Sequence, residues 1–299
     1  MNPLLKLLES GKPILLDGAM GTMLMDAGLE QGDPPEKWNV LHPERVRKVH
    51  RGYIQAGSQV VLTNSFGGTH FRLGMHNLQD RVGELNKASA EIARTEADAV
   101  AHSVVVAGSM GPTGQLFEPM GSLTFEKAKD AFAQQAKALA AGGVDVFWIE
   151  TMSDIDEVKA AIAGARSVSD LPIVATMSFD TNGHTMMGVS PAKAIDVLSK
   201  LDLVAAGANC GTGSDELEEA IRIMRTANPD AVLVAKANAG IPKVASDGSI
   251  FYNGTPEVMA KYAANVRDAG VALIGGCCGS TPDHIRAMAE AIGLGDAKT

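Results

Sequence analysis

Short apolar runs rich in β-branched residues alternate along the chain with longer segments whose apolar residues recur at i, i+3 and i+4. The short runs are 13–18 (PILLDG), 58–66 (SQVVLTNSF), 103–114 (SVVVAGSMGPTG), 144–154 (VDVFWIETMSD), 171–180 (LPIVATMSFD), 202–213 (DLVAAGANCGTG), 231–242 (AVLVAKANAGIP) and 271–280 (VALIGGCCGS). They predict eight strands. Helical periodicity fills the gaps over 43–57, 81–101, 125–143, 154–168, 191–200, 214–227, 256–270 and 281–293. Several of these segments end in Ala-Gly or Gly-Gly, which suits a glycine in the left-handed conformation past the last turn. Runs that are apolar almost throughout, rather than alternating, predict parallel strands covered on both faces. Eight β-then-α units in 299 residues predict an α/β fold, a single-domain (β/α)8 TIM barrel over residues 1–299. An open doubly wound sheet is the alternative, but no glycine-rich dinucleotide fingerprint follows the first strand. Residues 18–42 make a long irregular connection, and a long loop after a barrel strand is more often functional than idle.

Composition narrows the function. A formal net charge of −9 argues against nucleic-acid and anionic-membrane partners, because phosphate contacts need clustered Lys and Arg. No apolar run approaches the ~20 residues of a membrane span. The N-terminal segment MNPLLKLLESGKPILLDG has early charges and no signal-like apolar region. Three cysteines give no disulfide framework, so a reducing cytoplasm is expected.

In a barrel the site lies at the C-terminal ends of the strands. Those ends are expected at Asp17, Thr63-Asn64, Gly111–Gly114, Glu150, Asn209-Cys210, Asn238–Gly240 and Cys277-Cys278. All three cysteines therefore fall on one rim, Cys210 on the sixth run and Cys277 and Cys278 on the eighth, with only the seventh between. Three thiolates converging from strand ends make a zinc site with one open position, the arrangement of catalytic rather than closed structural zinc. Adjacent strand residues point to opposite faces. Cys277 and Cys278 can thus share a metal only if the chain leaves strand geometry, which the glycines of GGCCG permit. Glu150, ending the apolar VFWIE, must be paired, hydrogen-bonded or shifted in pKa. None of the seven histidines has metal-binding spacing, and His70 and His284 are expected on loop or helix surfaces. Met20, Met23 and Met25 are core filler or the lining of an apolar pocket.

A three-thiolate zinc suits a soft fourth ligand, a substrate thiol, whose proton is lost on coordination. Thiol alkyl transfer is the reaction expected. A vicinal-thiol redox protein and a structural zinc protein are the non-enzyme alternatives. The segments LLDGAMGT, GANCGTG and IGGCCGSTPDHI resemble the signatures of the zinc-dependent homocysteine S-methyltransferases, over about residues 10–292. AGSMGPTG and ANAGIP are most similar to the homocysteine domain of cobalamin-dependent methionine synthases. The resemblance implies a (β/α)8 barrel, zinc on Cys210, Cys277 and Cys278, and L-homocysteine as methyl acceptor, giving methionine. It implies acceptor contacts from Asp17 and Glu150. The turn at Gly18, Ala19 and Met20 offers backbone N–H groups for the acceptor's carboxylate, Asn209 is a further expected contact, and Asn238, on the run between those that carry the cysteines, is expected to approach the open zinc position in the acceptor's absence. The chain ends without the folate-, cobalamin- and reactivation-domains of such synthases. The expected donor is therefore methylcobalamin on a separate corrinoid partner protein. Betaine or a sulfonium such as S-methylmethionine is the alternative. Such donors favour an aromatic cage, for which Trp38, Phe66, Phe71 and Phe117 are the few candidates near the rim.

Overall fold

In the computed structural model, which describes residues 1–211, 213–244 and 250–295, the eight apolar runs become eight parallel strands closed into a barrel. The chain opens with α1 (Pro3–Glu9) and β1 (Ile14–Leu15), then passes through α2 (Gly21–Asp26), α3 (Trp38–Leu41) and α4 (Pro43–Gln55) to β2 (Val60–Leu62). Next come α5 (His70–Gly74), α6 (Val82–Asp98), β3 (Val105–Met110), α7 (Phe125–Ala141), β4 (Val146–Met152), α8 (Ile155–Arg166) and β5 (Ile173–Met177). They are followed by α9 (Pro191–Leu198), β6 (Ala205–Cys210), α10 (Ser214–Ala227) and β7 (Leu233–Ala237). An antiparallel hairpin of β8 (Pro242–Val244) and β9 (Ile250–Tyr252) precedes α11 (Pro256–Asp268), β10 (Leu273–Gly276) and α12 (Pro282–Ala291). The barrel order is β1-β10-β7-β6-β5-β4-β3-β2, and a parallel bridge from Leu16 to Val60 joins its two ends.

The near-continuous apolar strands work as expected, because each strand is buried on both faces. Ile14, Leu16, Val60, Val105, Val146, Trp148, Val174, Val234 and Leu273 fill the interior, with Leu4 of α1 packed among them. Alternate residues such as Leu15, Val61, Val106, Phe147 and Ile274 pack outward under the helices. Helix starts follow their sequence signals. Thr124, Asp154, Ser190 and Thr255 each cap a helix by accepting a backbone N–H in its first turn.

Several elements were not foreseen. Residues 18–42 are not wholly irregular but carry α2, a single 3-10 turn at Pro35–Lys37, and α3. These pieces, like α1 and α5, are too short to show a period. The β8–β9 hairpin sits where only a connection was expected. His284 corrects its expected surface position: it is 8% exposed. Its Nδ1 accepts from the Thr281 backbone N–H at 3.1 Å and its Nε2 donates to Gly254 O at 2.9 Å, fastening the start of α12. His70 is exposed, as expected. Among the described residues no helix is long and apolar enough to cross a membrane.

Candidate active site

Strand alternation puts the last inward residue of several strands at the C-terminal mouth of the barrel. Inward Val105 and Ala107 lead to Ser109, inward Val146 and Trp148 to Glu150, and inward Leu273 and Gly275 to Cys277. By the same count Cys210 would point outward beside inward Asn209. A left-handed backbone at Cys210, φ 59°, turns it back. Gly211 and Gly279 also have positive φ, near 78°, so the chain leaves strand geometry around all three cysteines. At Gly279 a side chain is excluded twice over, since a Cβ there would overlap the Tyr252 ring.

The three sulfurs lie within 4.8 Å of one another, with Cys210 Sγ and Cys277 Sγ 2.7 Å apart. Asn209 is fully buried and organises them: its Nδ2 reaches Cys210 Sγ at 3.5 Å and Cys277 Sγ at 3.9 Å. Its Oδ1 is held by Thr151 N at 2.9 Å and Thr176 Oγ1 at 2.5 Å. Asn209 is thus committed to the sulfurs and the neighbouring strands. Asn238, expected near an open metal position, is instead a brace. Its Nδ2 donates to Gly211 O at 2.8 Å and its Oδ1 accepts from Cys278 N at 3.0 Å, tying together the two loops that carry the cysteines. Hydrogen bonds from Cys210 and Cys277 hold the Cys278 thiol well below the ordinary thiol range, and those with Cys277 and Cys278 push Cys210 well above it. Three convergent sulfurs fit a soft, tetrahedral metal such as zinc.

The sulfurs edge a cavity of about 600 Å³ that also takes in Asp17, Glu150 and the turn Gly18–Thr22. Glu150 is 7% exposed, and Ser109 Oγ donates to its Oε1 at 2.5 Å. Burial, opposed by the Lys236 ammonium, pushes its carboxyl up to about 7. β4 does not end there: its register shifts between Ile149 and Met152, and Thr151 takes φ 61°, which marks a bulge at the site. Asp17 is 2% exposed, with Oδ1 3.2 Å from Lys236 Nζ and Oδ2 accepting from Leu62 N at 2.6 Å. In the turn, the N–H of Ala19 is already engaged by Ser280 Oγ at 3.2 Å. Met20, Met25 and Phe66 line the cavity. Met23, Phe71 and Phe117 pack against the helix-side core instead, and Trp38 is buried with the Arg45 guanidinium 4.8 Å from its ring centroid. Thr212 of the GANCGTG motif lies outside the described residues.

Lys236 and Tyr252 are among the side chains of the cavity wall that escaped the sequence reading. Lys236 interrupts the apolar run VLVAKA, a visible signal. Tyr252 comes from the unforeseen hairpin, shares the cavity wall with Cys278 and had no local signal.

The sequence profile of the family described as homocysteine S-methyltransferase matches residues 14–292. A methionine synthase of Mycobacterium leprae (strain TN) is 32% identical over 290 residues, covering 92% of this chain and 24% of that protein. A methionine synthase of Mycobacterium tuberculosis (strain ATCC 25618 / H37Rv) is 32% identical over 292 residues with the same coverage, 92% and 24%. The chain thus spans about a quarter of the length of these relatives. The metallated form of the homocysteine methyltransferase MmuM from Escherichia coli superposes with a TM-score of 0.81 at 26% identity, over 99% of this chain and 100% of that one. With a family match running from the first barrel strand to the end of the last helix, this chain belongs to the homocysteine S-methyltransferase family.

Proposed function

We propose that this chain, as the acceptor-binding unit of a cytoplasmic methionine-forming system, transfers a methyl group to the sulfur of L-homocysteine at a zinc centre held by Cys210, Cys277 and Cys278. The observation that carries this is the convergence of three sulfurs from two strands at the edge of a cavity that also holds the buried carboxylates of Asp17 and Glu150. Zinc held by Cys210, Cys277 and Cys278 would offer one open position to a soft sulfur ligand and would favour that sulfur's thiolate form at neutral pH. The protein's own groups do the positioning. Glu150, oriented by Ser109, receives the acceptor's ammonium, with Asp17 beside it. The acceptor's carboxylate goes to the turn Gly18–Thr22, whose N–H groups from Met20 onward remain after Ala19 is taken. Asn209 and Asn238 hold the cysteine loops in register.

For the donor we favour methylcobalamin on a separate corrinoid protein, in keeping with the likeness to methionine synthases and with a cavity that opens at the barrel mouth. A small onium donor, betaine or a sulfonium, is the second reading. Phe66, Met20 and Met25 on the wall favour it, as does buried Glu36 beside them. The deciding measurement is methionine formation by the purified, zinc-loaded chain with homocysteine and each donor in turn. Turnover with methylcobalamin and none with betaine or S-methylmethionine is expected; the reverse overturns the donor and leaves the acceptor site standing.

A further inference from the structure

Lysine is almost never fully buried unless it is paired, and Lys236 is 3% exposed in the barrel interior. Its Nζ lies 3.2 Å from Asp17 Oδ1 and 6.0 Å from the centroid of the Trp148 ring beneath it. The neighbouring strands oppose it with Gly275 and Asn209. Asp17 is thereby pinned on both oxygens, by Lys236 on one and by the Leu62 N–H on the other. Lys236, Asp17 and Glu150 all border the one cavity.

Two buried carboxylates on one cavity wall resist being charged together. The charged and titratable groups facing them are Lys236 from β7, Cys277 past the end of β10, and, for Asp17, Tyr53 from α4. Of these, Lys236 alone brings a positive charge. We propose that Lys236 is a positioning residue of the acceptor pocket, whose ammonium clamps Asp17 and eases the charging of Asp17 and Glu150 together so that the pair can receive a cationic amino group. The amino group rests on the acceptor being homocysteine, as read above; the clamp does not. Burial pushes both carboxyls above their ordinary range, and in each case the Lys236 ammonium is the foremost influence pulling them back. Lys236 itself stays charged: burial works against its ammonium, but Asp17 and Glu150 together hold it above the ordinary lysine range.

The test compares the wild-type chain, Lys236→Met, and the double variant Asp17→Asn/Lys236→Met. Thermal midpoints are measured without acceptor from about pH 5 to about pH 9, and homocysteine dissociation constants over the same range. In Lys236→Met the acid pair has no counter-charge, so the folded state takes up a proton that the unfolded chain releases. Stability gained that way is present at low pH and is lost as pH rises. The midpoint should therefore fall more steeply with pH than in the wild type, and the double variant, with one acid fewer, should regain the flatter profile. Homocysteine affinity near pH 7 should drop about tenfold or more and recover by about tenfold per pH unit, because the bound amino group displaces that proton. Midpoint profiles running parallel in all three proteins, or an affinity loss uniform across pH, would reduce Lys236 to packing and overturn the proposal. If Lys236→Met does not fold, recovery of folding in the double variant upholds the clamp and its failure overturns it. A wild-type chain that does not bind homocysteine refutes the acceptor reading instead, and the midpoint profiles still decide on Lys236.

Discussion

At the N-terminal end of the barrel the inward positions are Ile14, Val60, Val105, Val146, Val174, Ala205, Val234 and Leu273. Two to four residues further along the same strands, the inward positions include Ser109, Glu150, Thr176, Asn209, Lys236 and Cys277, nearly all fully buried. The backbone geometry is the same in both layers, and the burial nearly so. What differs is how each layer is stabilised. The lower layer gains from removing apolar surface from water, roughly 25 cal/mol per Å². The upper layer surrenders that gain and must satisfy each polar group by a specific partner: Ser109 to Glu150, Thr176 to Asn209, Lys236 to Asp17. The lower layer is a scaffold that tolerates a change of shape at a graded cost. The upper layer is a network in which removing one member strands another.

The largest effect that would sharpen this contrast is the loss of metal. Cys210→Ala should remove nearly all bound zinc and abolish methyl transfer while leaving the thermal transition of the metal-free protein close to that of the wild type. Zinc measured by metal analysis at about one per chain in that variant would sink the three-sulfur site. Next comes Leu273→Ala, in the lower layer of the strand that leads into Cys277. A buried Leu→Ala change costs roughly 2–5 kcal/mol. Denaturant unfolding should show that loss, with zinc content and homocysteine affinity unchanged. An altered affinity would mean that the two layers are coupled rather than separable.

The third effect is smaller and of opposite sign. Glu150 titrates near 7 in the folded protein, above its ordinary value of 4.5. A carboxyl raised on folding lends stability below its unfolded pKa, and that contribution is lost as pH rises through the folded value. At pH 8 the charged Glu150 is therefore a burden, on the order of 3 kcal/mol. Glu150→Gln keeps an acceptor for Ser109 and should be more stable than the wild type at pH 8 but not at pH 5. The same change should weaken homocysteine binding about tenfold or more, since a charge-assisted hydrogen bond of roughly 1.5–3 kcal/mol is lost. In the wild type, affinity should rise as pH climbs through about 7, because only the ionised carboxylate holds an ammonium. Unfolding curves at the two pH values and calorimetric titration check both halves. A variant that binds homocysteine normally would remove Glu150 from the site.

The sequence by itself determined the number of barrel units, their order, the parallel sheet and the strand ends that meet at one mouth. All of these follow from local pattern: apolar runs of strand length, helical spacing between them, and glycine at helix ends. It also marked the three cysteines as one cluster, because strand order brings two distant runs to neighbouring places. Its reach stopped at side-chain partners. The lysine in VLVAKA was in plain view, but Asp17 lies 219 residues away, and nothing local to either residue names the other. Asn238 could equally have faced a metal or braced two loops, and only the positions of Gly211 O and Cys278 N made it a brace. His284 reads as a surface helix residue until Gly254, from the loop after the hairpin, comes over it. Tyr252 joins Cys278 in the cavity wall from a hairpin that leaves no period in the sequence. Periodicity is set by what each segment buries and is repeated along it. A hydrogen-bond partner is set by closure of the whole barrel, which decides the left-handed turn at Cys210 and the pairing of Lys236 with Asp17 only when every strand is in place.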